Sequence, residues 1–348
     1  ARGQRHSPSS AKMVRVDLHG ISGMRFWMTL LLVCRRSFAF LIPVMGSGGP
    51  ACSLLNFASH DLVSAYFILA GFVMQWGYHG RSMEGAEAFW RFLSRRLSRF
   101  YPDFLISSLL AYVFSLPFVF GCTFKLASLW WNALALSLLH VWVRVWTPEM
   151  MPANGPAWFI VTLVWLWLAF PFIRDPAVAV FSGDRALFWA KLGALWLATC
   201  GMWAVLNGTL FFDPTEPVDG SNNVLFRHFL LKNLPPLRLP EFVFGMALAI
   251  RVQGDISEGA YSSLPGDGAS THGLVVGLLP GGACFLAVLY WTMRTLLRPA
   301  DCGCLDWRYG ECFGWQDLQE TRLAPLTAAL IYGIASLEYA AHRGKGGE

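Results

Sequence analysis

An all-α, polytopic transmembrane helical bundle of about nine spans is the fold class that this sequence predicts. Three observations predict it. Hydrophobic residues make up 55% of the 348-residue chain and charged residues only 14%, against about 25% charged in an ordinary soluble domain. The apolar residues fall in continuous runs close to the ~20 residues that a helix needs to cross the hydrocarbon core. Sixteen Trp and 27 Phe fit lipid contact and interfacial aromatic belts. A β-barrel would instead alternate apolar and polar residues over segments of about 10 residues.

Taken in order, residues 1–16 are polar, Ser-rich and basic, which predicts a disordered tail. Residues 17–340 then form one membrane-embedded domain, and 341–348 a polar tail. Spans are predicted at 25–44, 62–78, 100–120, 127–146, 157–173, 186–206, 240–252, 273–296 and 323–339. The seventh is short, so it is tilted or begins earlier, near Phe226. The longest connections, 207–239 and 253–272, are rich in Pro, Gly and Ser. No internal repeat is visible.

Loop charges give an orientation. With the N-terminus in the cytosol, strict alternation places Arg2, Arg5, Lys12, Arg15, Arg81, Arg91, Arg95, Arg96 and Arg99 inside. It also places Arg227, Lys232 and Arg238 inside and the acidic 252–272 connection outside, as the positive-inside rule requires. The net charge of +5 is therefore a topology signal rather than a nucleic-acid footprint. The first apolar run is too long for a cleavable signal peptide. Nothing in the sequence chooses between the plasma membrane and an endomembrane. Cys302, Cys304 and Cys312 share a loop without a nearby His, an incomplete zinc set, and no metal site is predicted.

Three constellations stand above the apolar background. Arg25 and Arg36 are eleven residues apart, about three turns at ~3.6 residues per turn, and so share one face of the first span. A guanidinium at membrane depth costs about 2.5–3.5 kcal/mol even on lenient scales and marks a functional site by default; Arg25 alone could snorkel to the interface. Arg96 and Arg99, three apart, share a helix face and could clamp a phosphate, or simply serve as topology determinants and contacts for anionic lipid. Last, Trp158 in Gly155-Pro156-Ala157-Trp158 reads as an interfacial anchor, and Glu241 in Leu239-Pro240-Glu241 as a favourable charge at a helix N-terminus.

In this order the segments resemble the membrane acyltransferase-3 family of integral-membrane O-acyltransferases. The resemblance is carried by Asp17-Leu18-His19-Gly20 leading to Arg25, by Phe67-Ile68-Leu69-Ala70-Gly71-Phe72, and by Arg96-x-x-Arg99-x-x-Pro102. It continues in Gly155-Pro156-Ala157-Trp158-Phe159-Ile160, in residues 239–249 and in Ala324-Pro325-Leu326. It implies transfer of an acyl group, often acetyl, from cytosolic acyl-CoA to a hydroxyl of a carbohydrate, lipid or small molecule. Arg96 and Arg99 would then hold the phosphate-bearing donor and Arg25 would support the reacting centre. No resident cofactor is implied; acyl-CoA is a co-substrate.

Departures from the family pattern are specific. Arg36 stands where the family has the His expected to act as general base, a role that needs a group able to release its proton near working pH. Ala70 replaces a Ser, and Leu163 stands where some members carry a carboxylate. The family usually has ten spans, and its last, built on Gly-x-x-Ser-Tyr-x-x-Tyr-x-x-His, has no counterpart after His342, as expected of a partial or shortened member. His19, His60 and His140 near span ends are the other candidate bases. Two competing readings are an acyl-CoA-binding protein without turnover and an anion transporter lined by Arg25 and Arg36; the latter predicts repeats of broken helices.

Overall fold

A computed structural model describes residues 18–39, 50–81, 83, 85–119, 126–143, 157–210, 233–258 and 324–345. All secondary structure among these is helical: α1 (His19–Ala39), α2 (Pro50–Tyr78), α3 (Ala86–Val119), α4 (Leu126–Leu136), α5 (His140–Val143), α6 (Ala157–Phe181), α7 (Arg185–Leu210), α8 (Pro235–Ser257) and α9 (Ala324–Lys345). One helix, α6, is clearly long and apolar enough to cross a membrane, while 63–78 and 327–336 are shorter apolar stretches. The 273–296 run lies outside the described residues. The third predicted span begins earlier than expected, because α3 continues through Pro102 back to Ala86. Arg96 and Arg99 therefore lie within a helix rather than ahead of one.

The most extensive helix contact is between α2 and α8. Phe67, Ile68, Leu69 and Phe72 on α2 and Phe242, Met246, Ala247 and Leu248 on α8 are completely or almost completely buried. The two backbones touch: a Cβ on Gly71 would lie 1.9 Å from the Phe242 carbonyl oxygen, and one on Gly245 1.8 Å from that of Ile68. Small residues permit this approach, and dispersion then acts over the full contact. Outward-facing Phe26, Trp27, Val113, Phe172, Leu197 and Val205 leave a large apolar surface uncovered.

Cross-contacts fix helix direction. Along α2, Ser64 meets Glu241, Ile68 meets Gly245 and His79 meets Gln253, so α8 runs parallel to α2. Phe159, Phe170 and Arg174 follow the same order beside Phe67, Tyr78 and Arg81, so α6 is parallel as well. α3 runs the other way, with Phe92 against Tyr78 and Phe100 against Trp167. α7 is likewise reversed, with Phe188 at Phe181 and Trp203 at Arg238. The basal end thus collects Tyr78, Phe181, Arg185 and Asp255, joined by Gly20 through α9; the distal end collects Ser64, Trp203 and Arg238.

This corrects the alternation expected from the sequence. Arg238 lies at the end opposite Gly20, and the segment following Val252 starts at the same end as Gly20. The physical reason is the fourth apolar stretch. α4 stops after 11 residues, about 16 Å of rise and roughly half a bilayer, at Leu138, whose φ of 63° is costly for a branched side chain. The carbonyls freed by the break are taken up, Leu136 by the Tyr101 hydroxyl at 3.0 Å and Leu138 by the Trp165 indole N–H at 2.9 Å. Backbone broken inside an apolar stretch persists only with such partners.

A polar clip closes the basal end. Arg251 donates from Nε to Asp255 at 3.0 Å, from Nη1 to the Gly183 carbonyl at 3.1 Å and from Nη2 to Glu258 at 3.0 Å. Tyr332 donates to the other Asp255 oxygen at 2.5 Å, and Arg185 reaches the Tyr332 hydroxyl at 3.4 Å. Helices α7, α8 and α9 are joined there by a hydrogen-bonded network with Arg251, Asp255 and Tyr332 at its buried centre.

Candidate functional site

The predicted site residues occupy three levels along α2. At the basal level, Tyr78 ends α2 and collects cations. The Arg96 guanidinium, on α3, lies 5.4 Å from the Tyr78 ring centre and 5.9 Å from that of Trp167 on α6. Arg81 lies 5.5 Å from the same Tyr78 ring, and Arg174 on α6 donates to the Arg81 carbonyl at 2.5 Å. Such stacking holds a cation in place by about 0.5–1 kcal/mol at an exposed site. Arg96 is half-buried and Arg99, one turn on, is exposed, so the structure distinguishes two residues that spacing alone made equivalent. Sequence reading missed Arg174, which immediately follows the predicted 157–173 span.

Next to this set, His79 titrates below its ordinary 6.5: partial loss of water around its ring comes first, then the Arg174 charge, with a Gln253 hydrogen bond opposing both. Folding therefore favours the neutral ring. That contribution is present above the unfolded value and fades as pH falls through the lowered folded value. The expected result is a His79 midpoint below 6.5 in a histidine NMR titration, moved upward by Arg174→Gln. A midpoint at or above the ordinary value would contradict the arrangement.

Arg25 lies at the middle level, exposed on α1. Its carbonyl accepts from the Thr29 hydroxyl at 2.8 Å and from the Tyr66 hydroxyl at 3.3 Å, and those two hydroxyls also contact each other. Tyr66 packs edge-on to Phe159 at 5.7 Å, and Phe159 edge-on to Trp158 at 6.1 Å. Trp158 is half-buried and packs against both apolar clusters, so it is a core contact rather than a simple interfacial anchor. Arg36 belongs to α1, but its side chain lies outside the described residues, as does that of His60. His19 is exposed and His140 buried.

At the distal level the N-terminal-charge account of Glu241 fails, because α8 begins at Pro235 and Glu241 lies beyond its first turn. The carboxylate is instead held in a buried cluster. Arg238 Nη1 is 2.8 Å from Glu241 Oε1, Ser64 donates to the same oxygen at 2.9 Å, and Arg238 also donates to Ser64 Oγ at 3.3 Å. Both charged side chains are 1% exposed. The Arg238 guanidinium lies 5.6 Å from each of the Phe67 and Trp203 ring centres. The i,i+3 spacing of Arg238 and Glu241 was the available sequence signal.

The basal level is separate from the other two, whereas Ser64 and Tyr66, two residues apart on α2, put the distal and middle groups side by side. Tyr66 and Tyr78 are twelve residues apart on α2, about 18 Å at 1.5 Å per residue. The structure therefore does not bring Arg25 together with Arg96 and Arg99. Among the described residues no three His, Cys, Asp or Glu side chains converge as a metal site; Cys302, Cys304 and Cys312 lie outside those residues.

Comparison with known proteins gives one relationship to report. The chain is 28% identical over 208 residues to acyltransferase MdmB of Streptomyces mycarofaciens, an alignment covering 57% of this chain and 48% of the relative. The matched region thus spans about half the length of that relative. No family model matches the chain, and no solved structure matches it. Helical structure throughout the described residues, and a distant acyltransferase relative, are therefore what structure and sequence comparison jointly support.

Proposed function

We propose that this chain is an integral-membrane O-acyltransferase of the acyltransferase-3 type. It moves an acyl group, acetyl first among the candidates, from acyl-CoA to a hydroxyl of a carbohydrate, lipid or small molecule. The relationship to an acyltransferase over 208 residues carries this reading. The uncovered apolar surface and the apolar α6 support residence in a bilayer; in this reading the chain crosses it several times, with the N-terminal, basal end in the cytosol.

The separated levels suit such a donor. Acyl-CoA carries its phosphates at one end of a long flexible arm and its thioester at the other. In this scheme Arg96 and Arg99 take the phosphates at the basal end while the thioester reaches the Arg25–Tyr66 level. The acceptor hydroxyl then attacks the thioester carbonyl, the Arg25 guanidinium stabilises the oxyanion that develops, and coenzyme A leaves as its thiolate. The acceptor's proton needs a base, and Arg36 cannot supply one.

That last observation favours a second reading, an acyl-CoA-binding member without turnover. Thiol release from acetyl-CoA by the purified protein, in the presence of total membrane lipids and oligosaccharides, separates the two. Turnover that falls about tenfold or more, ~1.4 kcal/mol, in Arg25→Gln and in Arg96→Gln supports the enzyme. Turnover retained in Arg36→Ala removes that residue from any essential role. Binding of acetyl-CoA without thiol release selects the second reading, and neither binding nor release sinks both.

A further inference from the structure

We propose that Arg81, Arg96 and Arg174, gathered around Tyr78, form a phosphate-binding site whose occupant is the phosphate-bearing part of the acyl-CoA donor. The inference rests on the acyltransferase reading and deepens it, because it adds Arg81 and Arg174, which the Arg96-x-x-Arg99 pattern does not contain, to the donor's anchor.

The three guanidiniums come from three places: the turn after α2, a half-buried position of α3, and α6. Two of them lie over one ring, at 5.5 and 5.4 Å from the Tyr78 centre, and the third donates to the backbone of the first at 2.5 Å. Like charges held this close repel, so the arrangement is unfavourable until an anion arrives. The carboxylates of this end are engaged elsewhere. Glu87 pairs with Arg91, and Asp255 and Glu258 pair with Arg251. Asp175, beside Arg174, is exposed, and among the described residues no carboxylate pairs with Arg81, Arg96 or Arg174.

The site also has an open donor. Arg174 Nε is buried and makes no hydrogen bond. A buried donor left unmade is costly, and guanidinium N–H groups match phosphate oxygens in geometry as well as charge. Stacking of Arg96 between Tyr78 and Trp167 fixes its direction beforehand. What distinguishes this set from an ordinary topology cluster is that Arg81 and Arg96 are aimed by aromatic rings and that, among the described residues, the three share no acidic partner.

An anionic lipid headgroup offers the same phosphate chemistry, so the experiment has two arms. Binding of coenzyme A is measured by calorimetry on the full chain in nanodiscs made only of phosphatidylcholine; retention of phosphatidylglycerol is measured separately by mass spectrometry. Arg81→Gln and Arg174→Gln are each expected to weaken coenzyme A binding about tenfold or more, with Arg95→Gln close to the parent. Arg81 is exposed, so its variant folds even where Arg174→Gln does not, and Arg81→Lys should recover part of the affinity. Parent-like binding in Arg81→Gln overturns the proposal, as does a parent chain that binds no coenzyme A. Loss of phosphatidylglycerol retention with coenzyme A binding unchanged also overturns it and makes this a lipid contact. Arginine-dependent coenzyme A binding without thiol release from acetyl-CoA would instead remove the transferase reading and leave the site standing.

Discussion

Gly245→Ala should abolish recovery of folded protein, and Gly71→Ala should do nearly the same. At 1.8 Å from the Ile68 carbonyl oxygen and 1.9 Å from that of Phe242, the added methyl groups meet backbone rather than yielding side chains. The helices would have to separate by well over an ångström along their most extensive contact. Ordinary overpacking costs about 1–3 kcal/mol; forcing two backbones apart belongs at or above the upper end, a large share of the 5–15 kcal/mol typical of a whole domain. Gly77, Gly193 and Gly201 supply the control, since a Cβ there meets nothing within 4 Å. Alanine at those helical positions should be neutral or add about 0.5–1 kcal/mol. Heating each variant in detergent and measuring the monodisperse fraction by fluorescence-detected gel filtration reads the difference. If Gly245→Ala survives as well as Gly193→Ala, the close α2–α8 approach is wrong.

Glu241→Ala is the second severe substitution. It leaves the Arg238 guanidinium buried without its carboxylate, a situation that costs about 3–5 kcal/mol. Ser64 Oγ and the Phe67 and Trp203 rings beside it carry no negative charge. The double variant Arg238→Met, Glu241→Leu should be much less harmful than Glu241→Ala alone, because replacing a buried pair by apolar groups is often neutral. The same heated gel-filtration measurement gives both values. A double variant worse than Glu241→Ala would show that the charges do more than satisfy each other, and would move this cluster from scaffold to acceptor recognition.

The apolar runs made the helices legible because hydrophobic length is a direct reading of what must be buried or face lipid. Eight of the nine predicted spans have a described helix or helix pair, though most are not clearly spanning by length and hydropathy. Direction was not legible from the fourth span onward. Alternation assumes that each apolar run crosses, and nothing in Leu134–Leu139 announces that Leu138 will adopt a left-handed conformation supported by Tyr101 and Trp165. At the candidate site, Arg25 and Arg96 stood out as charges in or beside apolar sequence. Ser64, Trp203 and Arg174 did not, because their meaning comes from partners 177, 35 and 93 residues away.

The parallel pairing of α2 with α8 bears on how the chain is made. Gly71 precedes Gly245 by 174 residues, the difference of the two positions, so at 5–20 residues per second α2 leaves the ribosome roughly 10–35 s before its partner exists. Through that interval its glycine seam and Ser64 have nothing to close on. The bundle is therefore completed late, from the centre, and any stall in synthesis before Pro235 leaves a half-built protein whose most adhesive surface faces outward. Quality-control proteases and chaperones would meet this chain at that stage.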